Sequence, residues 1–472
     1  MDLKEFRQNA HQVVDWLTDY LENIDQYAVM PATQPYEVYQ QLPTEAPQQA
    51  EDFATIFKDF EQLIVPNMTH WQNPSFFAYF PANSSSPSLL AEMLTAGLAA
   101  QCMSWQTSPA ATELEEMMMK WLGQICGIPA DWHGVIQDTA STGTLAAILT
   151  AREHATQGEI NHKGLYAQPR MRVYCSSETH SSIEKAVKIA GLGKENVVKI
   201  AVDENFAMLP TELEKAIAQD RQAGYLPLCV VATIGTTSST AIDPLRAIGE
   251  ICQAQKIWLH IDAAYAGTVT LLPEKRHLID GIELADSYLF NPHKWMFTNF
   301  DCTAYFVKDK KALLATFEIL PEYLKTALDK QVNNYRDWGI QLGRRFRALK
   351  LWFVMRSFGV EGLQAKIRLH LELAQDFAKK LENHADFELL APVSLNLVCF
   401  RYHPATIQDE ATLEKLNSQL MHQLNATGKV FLTHTKLSGK YTLRVVIGQT
   451  NVTAEHLTAL WELLLQEMKS LG

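Results

Sequence analysis

The sequence predicts an α/β protein: a mostly parallel sheet covered on both faces, preceded by a helical arm and followed by a small α+β unit. Three observations carry this. From about residue 86, short apolar runs alternate with helical stretches, the pattern of strands buried on both sides. From residue 361 the order changes to helix, strand, helix, two strands and helix, a unit with its own core. The chain is 472 residues long and 47% apolar, enough for two or three domains and a sizeable interior.

The elements follow in order. Phe6, Ala10, Val13, Val14, Leu17, Leu21 and Ile24 recur at helical spacing and make one apolar stripe over 3–25. Residues 29–50 are rich in Pro, Gln, Thr and Tyr and read as extended and looped. Neither piece can bury itself alone, so residues 1–85 are expected to form an arm that packs on a partner subunit. Helices are expected at 89–101, 112–127, 143–154, 182–190 and 210–223. Strands are expected at 172–175, 197–200, 228–233, 257–261, 287–290 and 302–307. A polar run to residue 337 interrupts the order before a helix over 342–357, which completes a large domain at 86–360. The small domain, 361–472, has helices at 362–382, 411–427 and 454–471 and strands at 397–402, 430–435 and 441–447.

Composition excludes several function classes. Lys and Arg number 41 against 53 Asp and Glu, a net charge of −12. A nucleic-acid scaffold or polybasic membrane anchor would need the opposite sign. The first residues are charged and show no signal-peptide pattern. The longest apolar stretch, 89–103, is broken by Glu92 and Gln101 and is too short for a membrane span. The seven cysteines are scattered, with no C-x-x-C pair, which predicts reduced thiols, no metal site and a cytoplasmic location.

Four segments carry chemistry, and each has a plain structural reading when taken alone. Thr139-Ala140-Ser141-Thr142-Gly143-Thr144 opens a helix, where free N–H groups and the helix dipole suit a phosphate; an ordinary Ser/Thr cap would look the same. In Ser176-Ser177-Glu178-Thr179-His180-Ser181-Ser182-Ile183-Glu184, Ser181 and Glu184 read as a capping box, leaving His180 at a strand's carboxyl end. Strand 257–261 runs into Asp262, followed by Ala263-Ala264-Tyr265, where a carboxylate can hold a ring nitrogen or merely cap a helix. Asn291-Pro292-His293-Lys294-Trp295 sets a lysine beside an apolar strand end, and desolvation there would lower its pKa as a Schiff-base lysine requires. Neither phosphate-binding glycine motif of nucleotide folds is present. Phosphate cradle, ring-face histidine, ring-nitrogen carboxylate and lysine come in the order that pyridoxal phosphate (PLP) needs.

With these residues the chain resembles the group II PLP-dependent decarboxylases, and closely the bacterial type of aromatic-L-amino-acid decarboxylase. The likeness runs over nearly the whole length. It includes His70-Trp71, Phe77-Ala78-Tyr79-Phe80-Pro81, Val135-Ile136-Gln137, Ile234-Gly235-Thr236-Thr237, His260-Ile261-Asp262-Ala263-Ala264-Tyr265, Asn291-Pro292-His293-Lys294-Trp295 and Gly343-Arg344-Arg345. The resemblance implies a PLP-dependent transferase-like fold (fold type I), with a seven-stranded central sheet and a homodimer whose active site lies at the subunit interface. It implies that Lys294 forms the Schiff base, Asp262 pairs with the pyridinium nitrogen, and His180 and Ala264 flank the ring. Ala140, Ser141, Asn291 and His293 would bind the phosphate, with Thr237 beside the ring and the substrate carboxylate. Trp71, Tyr79 and Phe80 would line an aromatic pocket.

The activity so implied is loss of CO₂ from an aromatic L-amino acid (L-Dopa, 5-hydroxytryptophan, tryptophan, tyrosine or phenylalanine) to give the amine. Tyr323, on a lid continuing through 326–337, would return a proton to Cα. Relatives that form aldehydes oxidatively tend to lack this tyrosine or the histidine. Retention of both favours the amine over the aldehyde, and the aromatic residues disfavour a non-aromatic substrate. Gly343 matches relatives that accept larger rings, whereas Ala82 and Met103 depart from animal members near the substrate. A non-catalytic binding protein of this fold would be expected to have lost Lys294, Tyr323 or Asp262.

Overall fold

The computed structural model of the protein describes all residues except 167, 320–327, 329–330 and 472. The chain divides into two compact units. One comprises 1–81, 373–390 and 398–472; the other comprises 82–372 and 391–397.

The larger unit is built on a seven-stranded sheet: β1 (His133–Gln137), β2 (Met171–Ser176), β3 (Val197–Ile200), β4 (Leu226–Thr233), β5 (Trp258–Asp262), β6 (Ser287–Phe290) and β7 (Thr303–Val307). Its order is β1-β7-β6-β5-β4-β2-β3, and only β7 runs against its neighbours. The strands are short and almost wholly buried, because helices cover both faces. Helix Ala140–Ala155 packs Leu145, Ile148 and Ala151 into a core with Val173, Val231 and Leu289. Gly143 permits that approach: an added Cβ would stand 2.9 Å from Leu289 Cδ2.

The smaller unit joins the N-terminal segment to the C-terminal one. Its four-stranded sheet contains β8 (Phe387–Leu389), β9 (Leu397–Tyr402), β10 (Thr433–Leu437) and β11 (Lys440–Val446), in the order β10-β11-β9-β8. Phe77 N–H donates to Phe431 O at 3.0 Å, Val446 N–H to Phe77 O at 2.9 Å and Val29 N–H to Gly428 O at 2.7 Å. Helix Leu3–Glu22 has an Asp2/Glu5 capping box but not one buried residue.

Several expectations are corrected. The 29–50 stretch is not wholly extended, since it holds the short helix Glu37–Gln41. Helical structure after the polar run starts at Arg347 rather than 342 and continues to Glu382, interrupted at Gly359 with φ +65°. β10 starts at Thr433, not 430. The end of the expected lid is no surface loop: Tyr335–Asp337 is a buried 3-10 turn, and Tyr335 sits in the main core. β1, helix Leu245–Gln255 and helix Lys310–Phe317 were not read as elements from sequence.

Candidate active site

β1, β2, β4, β5 and β6 are mutually parallel, so the chain leaves all five at one edge of the sheet. Ligands of open α/β sheets bind at that carboxyl edge. Each exit carries one of the expected residues.

After β1, Thr139 caps the helix that starts at Ala140, its hydroxyl accepting the Thr142 N–H at 3.4 Å. The first N–H groups of a helix have no intrahelical acceptor, so those of Ala140 and Ser141 are available to an anion. After β4, Gly235 has φ +81°, and a Cβ there would lie 2.5 Å from that of Ala266, so only glycine fits this turn. Thr236 Oγ1 accepts the Ala241 N–H at 3.0 Å, and the neighbouring Thr237 is exposed. At the end of β5, Asp262 is 4% exposed. Its Oδ1 accepts the Ala264 N–H at 3.0 Å, and its other oxygen takes no hydrogen bond among the described residues. The Ala264 carbonyl in turn accepts the Asn291 N–H at 2.9 Å.

After β6, Lys294 sits in the single helical turn Pro292–Trp295. Its backbone is fixed from several sides. Lys294 N–H donates to Asn291 O at 2.9 Å, and Asn83 Nδ2 donates to Lys294 O at 2.6 Å. Asn83 N–H donates to His293 O at 3.0 Å, and Ser85 Oγ to Phe297 O at 2.7 Å. The Trp295 ring stacks on Tyr265 at 5.1 Å, and its Nε1 donates to His370 Nδ1 at 2.9 Å. β7 enters at the same edge, where Thr303 Oγ1 lies 2.8 Å from Asn291 Oδ1 and 3.1 Å from Asp138 O, joining the exits of β1 and β6.

After β2, the Ser181–Glu184 capping box does not form: Ser181 has helical dihedrals and makes no side-chain cap. The His180 ring takes that place. Its Nδ1 accepts the Ser182 N–H at 3.1 Å and lies 2.8 Å from Ser182 Oγ.

The electrostatics tie these groups together. Burial lowers the pKa of Lys294, while the Asp262 carboxylate works in the opposite direction. Burial also lowers that of His180; Asp262 raises it and Lys294 lowers it further. His293 is pushed down to about 3, first by burial, and Cys302 N and O both lie within 2.9 Å of its Nδ1. His293 is therefore neutral, with only Nε2 left for a phosphate.

Trp71, Tyr79 and Phe80 lie in the smaller unit. There Trp71 stacks on Tyr79 at 6.0 Å, Tyr79 meets Phe431 edge-on at 5.8 Å, and Arg444 lies 5.5 Å from the Phe80 ring centre. Trp71 and Tyr79 remain 36% and 51% exposed. Ala82, Met103 and Gly343 belong to the larger unit. Ala82 adjoins Asn83, and Met103 O accepts the Arg336 N–H at 2.8 Å. Gly343 is exposed, and a Cβ there would stand 3.1 Å from Gln101 Nε2. Tyr323 lies outside the described residues. Arg344 is structural, paired with buried Glu115 at 2.7 Å.

Sequence reasoning missed Asn83, Ser85, Thr303 and Ser182. Their roles are long-range or depend on dihedrals, and the only hint was the polar run Asn83-Ser84-Ser85-Ser86 between apolar segments.

These residues fit PLP. A helix start with free N–H groups suits its phosphate, a half-satisfied buried carboxylate suits a protonated ring nitrogen, and a half-buried lysine suits an aldehyde. Fold and site together define a PLP-dependent enzyme of fold type I. The pyridoxal-dependent decarboxylase conserved domain matches residues 35–403, and the chain belongs to that family. It is 42% identical to tryptophan decarboxylase 2 of Oryza sativa, covering 99% of this chain and 95% of that one. It is 40% identical to phenylacetaldehyde synthase of Arabidopsis thaliana, covering 99% and 96%. The crystal structure of Oryza sativa TDC with PLP and tryptamine superposes with a TM-score of 0.96 at 34% identity, over 100% of this chain and 99% of that one.

Proposed function

We propose that the protein decarboxylates aromatic L-amino acids to the arylalkylamine and CO₂. The observation that carries this is the half-buried Lys294 facing the field of Asp262, whose second oxygen takes no hydrogen bond among the described residues. Support for an aromatic substrate comes from relatives named for tryptophan and tyrosine.

Bound PLP supplies an electron sink for the pair left behind when CO₂ departs. The chain's residues do the rest. Lys294 Nζ would hold the aldehyde, and its lowered pKa leaves more of the amine unprotonated at neutral pH. Asp262 would pair with the ring nitrogen and favour its protonated form. The helix start at Ala140 and Ser141, with Asn291 and His293, would hold the phosphate. His180 and Ala264 would flank the ring, and Thr237 would orient the substrate carboxylate. The C–COO⁻ bond breaks, CO₂ leaves, and Cα gains one proton, which Tyr323 donates. Ala82, Met103 and Gly343, all in the larger unit, would shape the space for the aromatic ring.

A second reading is oxidative conversion to the aldehyde, the reaction for which a relative at 40% identity is named. Retention of Tyr323 and His180 favours the amine. Purified protein given PLP and each aromatic amino acid distinguishes the two readings: amine and CO₂ in equal amounts without O₂ uptake, or aldehyde with peroxide. Tyr323→Phe is expected to divert product toward aldehyde and peroxide.

We also assign the protein to the cytoplasm, as a homodimer with its sites at the subunit interface. All seven cysteines are free and buried. Among the described residues no helix is long and apolar enough to cross a membrane. Helix Leu3–Glu22 leaves Leu3 and Phe6 exposed at 86% and 59%, apolar surface that a second subunit would cover. Light scattering at micromolar concentration should give about twice the chain mass; a monomer would contradict the dimer.

A further inference from the structure

His180 stands where a helix begins, and its ring does what the absent capping box would have done. Helix Ser182–Ile189 offers its first N–H, from Ser182, to His180 Nδ1 at 3.1 Å, and the Ser182 hydroxyl lies 2.8 Å from the same atom. A backbone N–H can only donate. Nδ1 must therefore be the acceptor, and the neutral ring carries its proton on Nε2. Ser182 is itself 8% exposed, so water competes little for its hydroxyl. Among the described residues Nε2 makes no hydrogen bond, and the residue as a whole is partly buried and partly exposed.

From this geometry we infer that Ser182 is a positioning residue that locks His180 as the uncharged Nε2–H tautomer. The inference rests on the reading of the site as a PLP enzyme only for its purpose. A ring whose nitrogen is protonated against Asp262 is electron-poor, and an imidazolium on its face would add a second positive charge. A neutral imidazole avoids that repulsion and still offers a hydrogen-bond donor. The charged groups that face His180 are Asp262 from the end of β5 and Lys294 after β6, and they act on it in opposite directions. The positive end of the helix adds to the preference for the neutral ring.

The test uses the full-length chain freed of cofactor and follows hydrogen–deuterium exchange at the imidazole Cε1 by mass spectrometry against pH. The tryptic peptide 173–185 contains His180 and no other histidine. Exchange should titrate with a midpoint below about 6.5, the ordinary histidine value. In Ser182→Ala the midpoint should rise by roughly 0.4–1 pH unit, the equivalent of one hydrogen bond to the neutral ring. Ser182→Thr, which keeps the hydroxyl, should restore it. A parent midpoint at or above the ordinary value, or no shift in Ser182→Ala with the fold intact by thermal melting, would overturn the inference. PLP binding, followed separately by the absorbance of the bound cofactor, tests the wider reading. Loss of the cofactor reading with a normal Ser182→Ala shift would leave the lock standing.

Discussion

At the scale of single residues, two side chains of the proposed chemistry, Lys294 and Asp262, each make a distinct prediction. Lys294→Ala should abolish covalent retention of PLP and lower kcat by at least about 10³-fold, since the nucleophile itself is removed. Asp262→Asn should keep a similar shape but lose the negative charge, lowering kcat roughly 10²–10³-fold, with PLP still bound. If Asp262→Asn matched the parent in kcat, the ring-nitrogen assignment would be wrong. The place of Lys294, Asp262 and His180 at strand ends was legible in the sequence because each sits next to an apolar strand. Ser182 was not. Ser181-x-x-Glu184 spells a capping box, yet the histidine ring one residue earlier wins the helix end, an outcome set by dihedral angles rather than spacing.

At the scale of elements, the lysine turn depends on a segment more than two hundred positions away. Asn83 contributes two hydrogen bonds to the backbone of His293 and Lys294. Asn83→Ala should cost about 1 kcal/mol of stability, because the half-buried Lys294 carbonyl loses its donor. It should also loosen cofactor binding, measured as a lower melting temperature and a higher PLP dissociation constant. An unchanged melting temperature would remove Asn83 from the support of Lys294. The sequence could not show such a strap, because nothing local marks which polar run meets which turn. For the same reason β1 escaped notice: its burial rises only over Val135-Ile136-Gln137, and it pairs with β7, far along the chain. β3 and β6, by contrast, were placed to the residue by their short apolar runs. The 335–337 turn looked like polar loop in sequence, but tertiary contacts bury Tyr335, Arg336 and Asp337.

At the scale of the whole molecule, pH is a lever on stability. His260 and His293 are buried and held to about 4 and about 3, chiefly by burial. The unfolded chain protonates them near about 6.5, whereas the folded chain does not. Their contribution is complete above that value and is lost as pH falls from it toward the folded values, on the order of several kcal/mol in total. Chemical denaturation between pH 7.5 and 4.5 should show this decline, and a stability that rises over the same interval would contradict it. The architecture as a whole was readable from alternating patterns. The grouping of residues 1–81 with the C-terminal segment was not, since it rests on backbone pairings such as Phe77 with Phe431.

The most direct measurement is product stoichiometry on purified, PLP-loaded protein. Each aromatic L-amino acid is supplied in turn while CO₂, amine, O₂ and peroxide are followed together. The account predicts amine and CO₂ in a one-to-one ratio for at least one of them, with no O₂ consumed and no product from Lys294→Ala. Absence of CO₂ from every aromatic amino acid, with PLP demonstrably bound, would contradict it.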